Sequence, residues 1–305
     1  GRDRSRPFFL ALGFFRPHTP FVAPKTPYFD LYPEDEMPLV TGVEEDQRDL
    51  PKAALGSRKP EQDAMTDRER RQALQAYYAS ISFVDAQVGR VLDALATHGL
   101  ADDTIVVFTS DHGYHMGEHG LYQKMSLFEE SARVPLVIAA PGRSKPGSVV
   151  AAPVGQVDLF PTLAALCGVA PPTNLQGQSL VPMLDDPSAT GRGWALTQVI
   201  RGTNVGRVSP KSDAGATAPR PFSGYSLRTT RWRYTEWDEG RQGRELYDHE
   251  ADPRELTNLA DLPAQAEVVA ELSRQLAAAV RHSLPPTGEV PEVRPNVWSP
   301  NLTNP

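Results

Sequence analysis

The chain has 305 residues, 31 of them basic and 38 acidic, for a formal charge of −7, and 40% are apolar. That apolar share is enough to build a core, the basic residues are too scattered to mark a duplex nucleic-acid surface, and no run of about 18 apolar residues could span a bilayer. The single cysteine, Cys167, excludes an intrachain disulfide framework and a multi-cysteine zinc site, and it reads as a small buried hydrophobe.

The chain opens without an initiator Met, at Gly1-Arg2-Asp3-Arg4, and reads as cut from a larger protein. The run Phe8-Phe9-Leu10-Ala11-Leu12 predicts a buried strand of a mostly parallel sheet. Eight prolines then punctuate residues 16–60 and argue against regular helix or central strand there. Phe14, Phe15, Phe21, Tyr28, Phe29 and Tyr32 point to an ordered, packed loop. Thr66 and Glu69 have capping-box spacing, and Leu74, Tyr78, Ile81, Val88, Leu92 and Leu95 follow at helical steps until Gly99. Asp85 falls on that stripe and reads as a buried carboxylate bonded to backbone.

A β-branched strand is predicted over 104–109, ending at Ser110-Asp111-His112-Gly113, and another over 135–139. Asp158 is the expected cap of a helix running to Cys167. After Trp194 the composition changes. Three short strands are predicted, at 225–229, 232–237 and 245–247, then a helix from about Pro263 to Val280 and an extended proline-rich tail. The alternation of strand and helix indicates an α/β class, divided as 1–195 and a smaller unit at 196–305 with an antiparallel sheet and a helix.

Ligands of open α/β sheets bind at the carboxyl ends of strands. Asp111 and His112 stand at such an end, with Gly113, Gly117 and Gly120 permitting close backbone approach, and together offer an oxygen and a nitrogen to a divalent cation. His115 and His119 suggest zinc by spacing, but the intervening glycines break the helix a zinc-protease motif requires. Lys124, beyond the loop, near a metal would suit an anionic substrate such as a sulfate or phosphate; by itself it reads as a solvated lysine.

The stretch Phe108-Thr109-Ser110-Asp111-His112-Gly113, then Gly117-Glu118-His119-Gly120 and Lys124, resembles the sulfatase family of the alkaline-phosphatase-like superfamily. Arg16-Pro17-His18-Thr19-Pro20-Phe21 resembles a loop of its iduronate-2-sulfatase-like members, and further matches run in family order from Pro7 to Leu259. The resemblance implies an alkaline-phosphatase-like, mostly parallel sheet flanked by helices, and removal of sulfate from a sulfated saccharide. It implies that Asp111 and His112 hold one divalent cation, usually calcium, that Lys124 holds a sulfate oxygen, and that His18 contacts the sulfate or protonates the leaving oxygen. It also implies a periplasmic or secreted location.

The sequence departs from the family in lacking a Cys/Ser-x-Pro-x-Arg motif, so no residue here is the expected formylglycine nucleophile, and the family's paired aspartates are absent too. Both are expected upstream, in a missing N-terminal portion of the same protein, which leaves this chain inactive alone. A phosphonate or phosphate monoester hydrolase of the same superfamily is the alternative enzyme, and a non-catalytic fragment or binding module is the alternative of another class.

Overall fold

The computed structural model describes residues 5–202 and 220–284. They fall into two compact units, residues 5–41 with 63–104, and residues 42–62 with 105–202 and 220–284.

The first unit is organised by the helix Asp67–Thr97. Its start follows the sequence: the Glu69 amide donates to Thr66 Oγ1 (3.3 Å) and the Thr66 amide to Glu69 Oε2 (2.7 Å), a complete capping box. The proline-rich segment is ordered against this helix by ring contacts, Phe21 on Tyr77 and Tyr28 on Phe83 at 5.3 Å and Tyr32 on Tyr78 at 5.4 Å. Gln75 Nε2 also donates to the Tyr32 carbonyl (2.6 Å). The turns Phe29–Leu31 and Glu34–Glu36 are short 3₁₀ elements that fit between prolines. The strand expected at 8–12 does not form: residues 7–15 carry no regular structure, and Phe9 is 84% exposed. Strand geometry needs a ladder partner, and none of the described strands pairs with this run. Asp85 is exposed, because Ile81 and Leu92 on the same stripe also face solvent.

In the second unit β1 (Val106–Thr109) pairs antiparallel with β2 (Leu136–Ala139). Every ladder among the described residues is antiparallel. Asp158 does not cap the helix Leu159–Leu166. Its buried carboxylate turns inward to accept from the amides of Gly155 and Gln178 (both 2.8 Å) and pairs with Arg192. Cys167 ends that helix exposed, not buried.

The C-terminal sheet has four strands in chain order, β3 (Trp194–Arg201), β4 (Phe222–Thr229), β5 (Trp232–Trp237) and β6 (Arg244–Asp248). The sequence missed β3, whose residues are mostly half-buried and lack a sharp two-residue alternation. The tail 285–305 and residues 203–219 lie outside the described residues.

Alternation gives this sheet two different faces. Leu227, Tyr234 and Leu246 stand in cross-strand register and pack on Leu272, Leu276 and Ala279 of the helix Ala266–Ser283. Each large apolar side chain buried there contributes about 1.5–3 kcal/mol. The opposite face is polar and equally buried: Ser226, Arg233, Thr235 and Glu245 accompany Trp237 and Tyr247. Their polar atoms are paired, Thr235 Oγ1 donating to Ser226 Oγ (2.9 Å), Trp237 Nε1 to Glu245 Oε1, and the Tyr247 hydroxyl to Glu245 Oε2 (3.1 Å).

Burial pushes the Glu245 carboxyl up to about 7 despite these two donors. A carboxyl held above its ordinary value loses stability as pH rises from about 4.5 through 7. Glu245→Gln removes that loss, so urea denaturation should show the variant gaining on the order of 1–3 kcal/mol over the parent at pH 8 relative to the difference at pH 4.5. An identical difference at both pH values would contradict the assignment.

Candidate active site

β1 stops at Thr109 and delivers Ser110, Asp111 and His112 to its carboxyl end. The turn is closed by Gly113, whose amide donates to the Ser131 carbonyl (2.9 Å). A Cβ on Gly113 would stand 2.0 Å from the Glu130 carbonyl oxygen, so only glycine fits. Gln156 Nε2 fixes the strand end from outside by donating to the carbonyls of Ser110 (2.6 Å) and Asp111 (3.0 Å).

The Asp111 carboxylate is 85% exposed, with Oδ2 3.4 Å from His112 Nε2. His112 Nδ1 lies 2.8 Å from the Gly113 carbonyl and, as the protonated nitrogen, donates to it, which leaves a lone pair on Nε2. A lone pair and a carboxylate oxygen thus converge on one point, an arrangement a cation relieves. A histidine that donates its second ring N–H to a carbonyl is oriented for ligation. The donor set fits the divalent cation the family implies, as one hard oxygen and one nitrogen.

The 113–124 loop closes on itself. The His115 amide donates to the Gln123 carbonyl (3.1 Å), the Gly117 amide to the Leu121 carbonyl (2.8 Å), and the Tyr114 hydroxyl to the Tyr122 carbonyl (3.0 Å). This closure returns the Lys124 backbone to the neighbourhood of Tyr114, two residues past His112. Lys124 is half-buried and precedes Met125, whose φ is 76°. The structure therefore brings Asp111 and His112 together and returns Lys124 to the same loop stem. His18 belongs to the first unit, where it is exposed, its ring 5.0 Å from Phe15 and its Nδ1 2.8 Å from the Thr19 carbonyl.

Beneath the loop lies a charged cluster that the sequence reading missed. His119 is 2% exposed, with Nδ1 3.0 Å from Asp46 Oδ2 and Nε2 3.6 Å from Glu130 Oε2. Burial works against its charge, but Asp46 and Glu130 outweigh it and raise His119 to about 10. His115 is equally buried and bonded to Ser126 Oγ (2.7 Å), and burial lowers it to about 4, leaving it neutral. Glu255 accepts from Arg233, from His249 Nε2 (2.7 Å) and from the Glu129 amide (2.8 Å). Burial would raise its carboxyl, yet these partners hold it at about 2. Ligand atoms of His119, Glu130 and Glu255 lie within 4.8 Å of one another, as do those of Glu129, His249 and Glu255. Glu255, common to both groups, is already committed to guanidinium, imidazole and amide donors, and Glu129 to two guanidinium groups. The only available signal was two histidines in a glycine-rich loop; their carboxylate partners are remote in sequence.

A family model described as Sulfatase matches residues 1–169, which contain His18, Asp111, His112 and Lys124. A sulfatase of Formosa agariphila is 34% identical over 265 residues, covering 85% of this chain and 47% of the relative. The chain belongs to the sulfatase family. Iduronate 2-sulfatase of Homo sapiens is 32% identical, covering 77% of this chain and 53% of that protein. Among solved structures, a phosphonate monoester hydrolase from Silicibacter pomeroyi aligns with a TM-score of 0.74 at 28% identity, covering 89% of this chain and 55% of the other. A protein in complex with its substrate D-glucosamine-2-N,6-O-disulfate aligns at 0.59 with 30% identity, covering 71% and 42%. The fold is the alkaline-phosphatase-like α/β fold of sulfatases. The chain spans about half the length of the curated sulfatases it matches.

The strand-end turn of this sulfatase chain rests on a backbone approach that no side chain survives. Gly113→Ala should lower unfolding stability by about 2 kcal/mol or more, read from the denaturant midpoint. An unchanged midpoint would show that the Gly113–Glu130 approach is not a constraint.

Proposed function

We propose that the complete protein hydrolyses sulfuric esters of a sulfated saccharide, and that this chain supplies the cation ligands and an anion-binding lysine while further polypeptide of the same protein supplies the nucleophile. The convergence of Asp111 Oδ2 and His112 Nε2 at 3.4 Å carries the reading. Exposed apolar surface also supports it, in the first unit at Phe9, Leu10 and Phe15 and in the second at Phe108 and Val137, because clustered exposed apolar side chains mark surfaces that another partner covers. The solved relative with a disulfated glucosamine supports a sulfated sugar, and the iduronate 2-sulfatase relative supports a uronate-containing polymer.

Asp111 and His112 would hold one calcium ion, which would supply positive charge beside the sulfate oxygens. Lys124 places a compact ammonium on the stem of the same loop and binds a further sulfate oxygen. With a net charge of −7 the chain cannot attract an anion at long range, so the attraction must be local. A fixed cation at an oxygen that gains charge in the transition state favours the chemical step as well as binding. For His18 the proposed part is to contact the sulfate or protonate the leaving oxygen through its exposed ring. No described helix is long and apolar enough to cross a membrane, and a periplasmic or secreted location is part of the proposal.

A phosphonate or phosphate monoester hydrolase is the second reading, favoured by the TM-score of 0.74 to the Silicibacter pomeroyi enzyme. Turnover of a disulfated glucosamine against a phosphonate monoester by the complete protein separates the two. Residues 1–305 alone should turn over no aryl sulfate. In the complete protein Lys124→Ala should lower kcat/KM by about 10²–10³-fold with metal content unchanged, and Lys124→Arg should rescue only part. Turnover by the chain alone, or kcat/KM within a few-fold of the parent for Lys124→Ala, would overturn the reading.

A further inference from the structure

We propose that His119 is a positioning residue: a doubly protonated imidazolium, clamped between Asp46 and Glu130, that ties the middle of the loop carrying Asp111, His112 and Lys124 to its start. What the loop is for rests on the sulfatase reading; the clamp itself rests on geometry.

The His119 ring is sealed from water. It stacks on Phe128 with centroids 3.8 Å apart and planes at 13°, and meets His115 edge-on at 5.9 Å. Nδ1 donates to Asp46, so a neutral ring would leave an acceptor lone pair on Nε2 facing the Glu130 carboxylate 3.6 Å away. Neither Nε2 nor Glu130 Oε2 has a hydrogen-bond partner, and both atoms are buried. Two acceptors cannot face each other there without a cation or a proton between them. A divalent ion would need Glu255, whose oxygens are already bonded to Arg233, His249 and the Glu129 amide. The proton needs nothing else.

The clamp reaches the start and the middle of the loop. Glu130 holds His119 with its side chain and abuts Gly113, next to His112, with its carbonyl. Gln47, adjacent to Asp46, donates Nε2 to the His119 carbonyl (2.7 Å). A Cβ on Gly120 would stand 2.4 Å from that same Gln47 nitrogen, and Gly120 itself has φ +70°. His119 has φ 55°, a left-handed conformation that a non-glycine residue keeps only where its surroundings hold it.

The groups facing His119 are Asp46 from the Val43–Asp46 turn, Glu130 from the Glu129–Ala132 turn, His115 from its own loop, Glu245 from β6, and Glu255. Of these, Glu245 titrates near 7 and His115 near 4, so neither changes charge substantially above pH 8. A histidine raised from 6.5 to about 10 contributes stability that is fully present below 6.5 and lost as pH rises through 10. Ring-nitrogen NMR of the histidine-labelled 305-residue chain should show both nitrogens of His119 protonated at pH 8, with loss of one proton near pH 10. Deuterium exchange of the Gly113, His115 and Gly117 amides, corrected for intrinsic rate, should lose protection at least tenfold between pH 8 and 10. Asp46→Asn should shift the His119 titration to lower pH, and His119→Gln should make loop protection independent of pH over that range. A single protonated nitrogen at pH 8, or loop protection in the parent chain unchanged to pH 10, would overturn the clamp. No readout needs turnover, and the two decisive ones use the unmodified chain, so they fail independently of the sulfatase reading.

Discussion

The structure of the second unit depends on one buried guanidinium. Arg233 is 2% exposed, and its partners are the carboxylates of Glu129 and Glu255. Burial opposes its charge, yet the two carboxylates hold its proton more firmly than usual. Removing one member of such a buried group strands the others, a loss of about 3–5 kcal/mol. Three elements meet there: Arg233 lies on β5, Glu129 opens the short helical turn after the loop, and Glu255 follows β6 in the chain. Arg228 on β4 adds a second guanidinium to Glu129 (3.3 Å).

This explains why a four-stranded sheet buries a polar face. Leu227, Tyr234 and Leu246 make an ordinary apolar layer with the C-terminal helix. The other face grips the helical turn that ends the candidate loop. The Glu129 amide is fixed by Glu255, the next residue, Glu130, reaches back to His119, and the Glu130 carbonyl sets how closely Gly113 may approach. Phe128 is bracketed by His119 and by Tyr247 of β6, so apolar packing and charge run along the same route. The sheet thus acts on Asp111 and His112 through a chain of contacts.

What could be read from sequence was local. The capping box at Thr66 and Glu69 spans three residues, and the strand end at Asp111-His112 announces itself by β-branched residues followed by glycines. The aromatic residues between prolines gave an ordered loop because their partners, Tyr77, Tyr78 and Phe83, sit on the most regular helix in the chain. The charge cluster was not legible: Arg233 and Glu129 are 104 residues apart, His119 and Asp46 are 73 apart, and no periodicity links them. The apolar run at 8–12 misled in the opposite sense, since composition specifies burial but not the ladder partner that a strand needs. Asp158 was misplaced because a residue suited to a cap is equally suited to bind two amides and an arginine inside the fold.

On the two proposals above, one cation half-site lies at Asp111 and His112, and the neighbouring histidine–carboxylate cluster is filled by a proton and by arginines. Anomalous diffraction from crystals of the chain soaked in manganese at millimolar concentration tests this directly. A single peak is expected between Asp111 Oδ2 and His112 Nε2 and none among His119, Glu130 and Glu255. A peak within that buried cluster, or no peak at Asp111, would contradict this assignment.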